Sequence, residues 1–96
     1  MKREQILEVV INNLKSLVET FPENQKFDVN ESTMLFGEGS NIDSLSLVSV
    51  IVDLETIFSE EYNFDISLTD DKAMTREISP FDNVGTLTDY ISELIS

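Results

Sequence analysis

The stretch from Ser44 to about Glu61 carries more apolar side chains than one buried helix face needs. That surplus constrains the fold more than any other feature. Asp43 is suited to N-cap such a helix, its carboxylate accepting a hydrogen bond from a free backbone N–H of the first turn. On a wheel of about 100° per residue with Ser44 at zero, Leu47, Val50, Ile51, Leu54, Ile57 and Phe58 fall in one arc, roughly 220° to 340°. This arc is the candidate core face. Ser46, Ser49, Asp53 and Thr56 lie opposite, and Leu45, Val48 and Val52 form a second apolar strip at roughly 40° to 100°, beside Ser44 and Glu55. Two readings of the strip stand. It is a docking stripe rimmed by carboxylates and hydroxyls, or a patch packed under the long loop that precedes it.

The same periodicity appears at both ends of the chain. Ile6, Val9, Val10, Leu14, Leu17 and Phe21 recur at three- and four-residue steps, which predicts a helix from about Lys2 to Thr20, stopped by Pro22. From Phe21 to Asp43 the pattern gives way to a connection punctuated by Pro22, Asn24, Asn30, Gly37, Gly39 and Asn41. Val29, Met34, Leu35 and Phe36 are its expected anchors to the core. "YNFDISL", with Phe64, Ile66 and Leu68 alternating, reads as an extended connector, since no second strand is evident to pair with it. Ser79-Pro80-Phe81 offers an N-cap followed by proline and predicts a short third helix to about Val84, stopped by Gly85. Thr86 with Asp89 resembles a capping box for a last helix, whose apolar face is Leu87, Tyr90, Ile91, Leu94 and Ile95. The expected architecture is all-α, a single domain over residues 1–96, forming a small four-helix bundle of three longer helices and one short one.

Composition narrows the function. The chain has 96 residues, with 19 acidic against 6 basic side chains and a formal net charge of −13. Such a chain repels nucleic acid and anionic membrane, so its partners should present basic patches. Zero Cys and zero His remove thiolate ligands, disulfides and the commonest neutral-pH base and metal ligand. The segment EQILEVVINNLK interrupts any apolar run near the N-terminus, so neither a signal peptide nor a membrane span is expected, and a cytoplasmic protein follows. Asp65, Asp70 and Asp71 are acidic neighbours, but their spacing is not that of an EF-hand loop. They read as a solvated face, and no metal site is expected.

Ser44 has three readings from the residues alone. It is a structural serine in a first helical turn, or a nucleophile without a histidine base, or the attachment point of a phosphate-linked group. Free N–H groups and the helix dipole favour an anion there by about 0.3–1 kcal/mol. The nucleophile reading has little behind it, since a pairing with Lys15, Lys26 or Lys72 belongs to no motif and a chain this small has little room for an enclosed site. No catalytic residue is therefore assigned.

Gly39-Ser40-Asn41-Ile42-Asp43-Ser44-Leu45 resembles the G-x-DSL attachment motif of the acyl carrier protein family, set at the start of that family's second helix. Leu47, Val48, Ile51, Leu54, Glu55 and Phe58 match its apolar and acidic positions, and Phe64 to Ile66 its "F-x-I" stretch. Ser79 to Val84 and Leu87, Tyr90 and Ile91 resemble its third and fourth helices, so the resemblance spans essentially the whole chain. It implies a carrier, not an enzyme. A phosphopantetheinyl transferase using magnesium would move 4′-phosphopantetheine from coenzyme A to Ser44, and the arm's thiol would carry acyl groups as thioesters between enzymes. Asp43 would cap the helix and help the transferase recognise it. Leu45, Val48, Val52, Asp53 and Glu55 would meet acyl-transferring enzymes, and the carrier would be a monomer.

Some residues depart from the pattern. Ser46 and Ser49 stand where a housekeeping fatty-acid carrier usually shows acidic residues, and the loop before Ser44 and the segment Ser67 to Ser79 are longer than in a minimal carrier. These departures point to a specialised lipid, polyketide-like or cell-surface pathway, with housekeeping fatty-acid synthesis as the alternative. "IDSL" lacks the Gly-Gly-His/Asp-Ser character usual in peptidyl carriers. From another class, a non-enzymatic acidic adaptor would use the same stripe without any prosthetic group, and an esterase-like enzyme comes third.

Overall fold

The arrangement follows from three segments whose apolar residues repeat with the helical period, each burying one stripe against the others. A computed structural model describes residues 2–35, 42–68 and 81–95, with Ser44 described by its backbone. Helix α1 (Arg3–Val18), helix α2 (Ser44–Tyr62) and helix α3 (Val84–Ile95) make the described part all-helical, with one 3-10 turn at Glu23–Gln25 and a single antiparallel bridge between Met34 and Asn83.

Helix α1 is the element the other two share, packing against both α2 and α3. Its buried stripe is Ile6, Val10, Leu14 and Val18, at the spacing of one helix face. At its start, Gln5 Oε1 accepts the Lys2 backbone N–H at 2.8 Å; at its end, the Phe21 N–H closes a turn onto the Val18 carbonyl at 3.0 Å, just before Pro22. The core is completed by Leu47, Val50, Ile51, Leu54 and Phe58 of α2, Leu87, Tyr90 and Ile91 of α3, and Leu35, Ile42 and Leu68 from the connections. All six predicted core-arc residues of α2 face inward, Ile57 only partly buried. The stretch after α2 lacks regular structure, as expected, with Phe64 and Ile66 half-buried and Leu68 buried.

Helix α2 ends on a left-handed residue. Asn63 has φ 61° and ψ 31°, and its N–H and that of Phe64 both reach the Phe58 carbonyl, the latter at 2.8 Å. One carbonyl thus takes donors five and six residues further on, and the left-handed residue that makes the reversal stands where glycine is the usual occupant, because it has no Cβ to crowd the carbonyl. Asn63→Gly is expected to raise stability by on the order of 0.5 kcal/mol, and Asn63→Val to lower it by about 1–2 kcal/mol. Urea denaturation checks both; identical midpoints for all three proteins would mean that the end of α2 is not closed this way.

The start of α3 differs from the sequence expectation. Phe81 and Asp82 form a turn and a bend, and Val84 and Gly85 already belong to α3, so the short helix predicted to run to Val84 is absent over 81–83. Its first positions, Ser79 and Pro80, lie outside the described residues. Asn83, not Thr86, is the cap. Asn83 Oδ1 accepts the Thr86 N–H at 2.9 Å, and Thr86 Oγ1 accepts the Asn83 N–H at 3.1 Å, a reciprocal capping box three residues nearer the N-terminus than expected.

The physical reason lies in the long connection. The Val84 N–H donates to the Thr33 carbonyl at 3.0 Å, the Gly85 N–H to the Glu31 carbonyl at 2.9 Å, and the Leu35 N–H to the Asp82 carbonyl at 3.0 Å. Donors that a helix start normally leaves open are thus satisfied by backbone from an earlier part of the chain. Gly85 permits the approach: a Cβ there would sit 3.2 Å from both Asn83 Oδ1 and Glu31 Cγ, and 3.4 Å from the Glu31 carbonyl oxygen. Close approach, not helix termination, is its role.

The same bridge corrects one anchor of the connection. Successive residues of an extended segment point to opposite sides, so Leu35 is fully buried while Met34 is 39% exposed. Val29 is half-buried and Phe36 lies outside the described residues. Arg3 adds a polar tie, its guanidinium donating to Asp89 of α3 and, at 3.1 Å, to Glu31.

Candidate functional site

The residues of interest sit where the connection enters α2. Ile42 is buried and pins the approach, and Asp43 follows in an extended conformation, φ −79° and ψ 169°. Asp43 Oδ1 accepts the Ser46 N–H at 2.7 Å, and the Asp43 carbonyl accepts the Leu47 N–H at 2.9 Å, so the helix begins at Ser44 as its first residue. Part of the positive helix start is thereby already answered by the Asp43 carboxylate.

The cap leaves an electrostatic signature. Hydrogen bonding from the Ser46 backbone N–H, and secondarily from the Ser46 side chain, holds the Asp43 carboxyl below its ordinary 3.8, against a smaller opposing effect of desolvation. A carboxylate with a depressed folded-state pKa contributes stability that is present above about pH 3.8 and lost as pH falls through the lowered value. The Ser46 amide resonance is therefore expected to titrate below pH 3.8. In Asp43→Asn, which keeps a capping oxygen but has no proton to gain, that step should vanish. A Ser46 titration unchanged by the substitution would assign the step to another carboxyl.

Beyond the cap, the second apolar strip is in water. Leu45 is 80% exposed and Val48 and Val52 are each 54% exposed, so the described part of the connection does not cover them. Asp53 is exposed beside the strip and Glu55 half-buried; α2 contains no lysine or arginine. The structure thus gathers Asp43, Ser44, Leu45, Val48, Val52, Asp53 and Glu55 on one helix. Both chain neighbours of Ser44, Asp43 and Leu45, are exposed.

No described group of three or more acidic side chains is placed to hold a metal ion. Asp65 is exposed, and Asp70 and Asp71 lie outside the described residues. No described helix is long and apolar enough to cross a membrane. A groove of about 260 Å³ lies away from Ser44, between α1 and the second half of α2, and no sequence motif marks it. Compared with protein families, curated proteins and solved structures, the chain matches none.

Proposed function

We infer that this protein is an acyl carrier, in which Ser44 receives 4′-phosphopantetheine from coenzyme A through a separate phosphopantetheinyl transferase. The arm's terminal thiol would supply the thioester chemistry that a chain without cysteine lacks. Ser44 is the acceptor, Asp43 orders the helix start, and Leu45, Val48, Val52, Asp53 and Glu55 form the surface that partner enzymes meet.

The observation that carries the reading is the strip itself. Three large apolar side chains remain in water on the helix that Ser44 opens, next to an aspartate cap. Leaving such residues unburied loses about 1.5–3 kcal/mol of potential stabilisation for each one that folding might otherwise cover, and an intermittent partner explains why they stay outside. The acidic surroundings suit enzymes with basic docking patches. The reading implies a four-helix bundle, a cytoplasmic setting and a monomer that visits several enzymes. Ser46 and Ser49, in place of acidic residues, favour a specialised lipid, polyketide-like or cell-surface pathway over housekeeping fatty-acid synthesis.

Intact-protein mass after incubation with coenzyme A, Mg²⁺ and a broad-specificity transferase tests the reading. The expected result is a gain of one phosphopantetheine, mapped to Ser44 by fragmentation. No gain, with the transferase active on a control carrier, would leave the acidic adaptor, which uses the same strip without an arm.

A further inference from the structure

Residues 30–35 hold a shape that only the far end of the chain completes. The Thr33 N–H closes a turn on the Asn30 carbonyl at 3.1 Å, while Asn30 Oδ1 accepts the Ser32 N–H at 2.8 Å and Thr33 Oγ1 accepts the Asn30 N–H at 2.9 Å. This turn presents the Glu31 and Thr33 carbonyls to the Gly85 and Val84 N–H groups, and the Leu35 N–H adds a third bond to Asp82. The closure has an electrostatic cost. It brings the Glu31 and Asp89 carboxylates within reach of one guanidinium, that of Arg3, which donates from Nη2 to Glu31 at 3.1 Å and from Nε to Asp89. In a chain with 19 acidic and 6 basic side chains, one of the few cations stands between two like charges.

We propose that Arg3 is the catch of a salt-sensitive latch: it turns a repulsion between Glu31 and Asp89 into an attraction, and without it residues 31–35 and 82–85 open as one unit. The planar fork of arginine aims separate N–H donors at the two carboxylates, which a lysine ammonium, a point charge, does less well. Arg3 is half-exposed and Glu31 and Asp89 are exposed, so dissolved ions reach and screen both pairs. The backbone bonds beneath them are bound to one another through the core. Releasing the pairing draws the fully buried Leu35 out of the core and strips Val84 and Gly85 of their acceptors at the start of α3. It also moves the last buried anchor before Asp43 from Leu35 to Ile42, the next described buried residue. The latch thereby sets how much of the connection is tethered ahead of α2, whether or not Ser44 carries an arm.

Native-state hydrogen exchange of the unmodified full chain tests the latch. The Leu35, Val84 and Gly85 amides report on the pairing, and the Val10 and Leu14 amides of α1 serve as the reference that absorbs any effect of salt on the whole molecule. In the parent, the three reporters should share one opening free energy and lose protection relative to the reference as salt rises from about 20 mM to about 0.5 M. Arg3→Gln should lower their protection about five-fold at low salt and reverse the sign of the salt response, since only repulsion is then left to screen. Adding Glu31→Gln to Arg3→Gln should restore protection to within about two-fold of the parent and flatten the salt response. A salt response of the same sign in parent and Arg3→Gln would overturn the latch, as would a double variant no better protected than Arg3→Gln. Reporters with unrelated opening free energies would overturn it by making each bond a separate event. Reference amides that fall together with the reporters in Arg3→Gln would do so by assigning Arg3 to the fold as a whole.

Discussion

Ser44→Ala is expected to gain no mass from coenzyme A and the transferase while keeping its thermal midpoint within a few degrees of the parent. The separation follows from the division of labour at the start of α2. The hydrogen bonds that open the helix come from Asp43, through Oδ1 to the Ser46 N–H and through its carbonyl to the Leu47 N–H. Alanine at the first helical position is a good helix former, and a change that removes no cap typically alters stability by about 0.5 kcal/mol, or roughly 2–4 °C in a domain of this size. Asp43→Ala should behave differently, slowing loading and loosening the first turn together. Mass spectrometry and a melting curve on the same samples check both. Loading of the Ser44→Ala protein would place the acceptor elsewhere, and its unfolding would make Ser44 structural.

Phe58→Ala should cost about 3–5 kcal/mol, lowering Tm by roughly 15–30 °C. Phe58 is fully buried, touches the Tyr62 ring at a centroid distance of 5.8 Å, and lends its carbonyl to the closure at Asn63 and Phe64. Removing the ring opens a cavity beneath α2 and withdraws support from Tyr62. Set against the 5–15 kcal/mol typical of small domains, the loss is large. Urea denaturation measures it directly. A cost below about 1 kcal/mol would mean that the site collapses freely and that α2 is not docked on the core through this residue.

What the sequence made legible was local. Helix α2 could be read because its cap, Asp43, stands beside its first residue and its core arc and surplus strip both lie within one uninterrupted period. Leu45, Val48 and Val52 were separable from the core by angle alone, and the structure leaves them exposed. The start of α3 was misread for the opposite reason. Its first donors are met by carbonyls at Glu31 and Thr33, half the chain away, and no window around Gly85 contains that information. The sides taken by Met34 and Leu35 depend on the same pairing. Asn13 reads in the sequence as one more polar interruption of the α1 stripe, and nothing local shows that its oxygen is buried without a hydrogen-bond partner. The roles proposed for Asp43 and Ser44 come from resemblance, whereas the helix start between them follows from hydrogen bonding.

The backbone pairing of Glu31, Thr33 and Leu35 with residues 82–85 also orders events during synthesis. A ribosome makes Glu31 and Thr33 first, so their carbonyls emerge and wait in water until residues 82–85 follow. Helix α3 is made after them, and it supplies Val84, Leu87, Tyr90 and Ile91 to the core. A nascent chain lacking it therefore has neither a closed core nor a paired connection. The two earlier helices therefore wait for α3 before this core can close, and a chain cut short before α3 is expected to be a substrate for proteolysis rather than a smaller stable version.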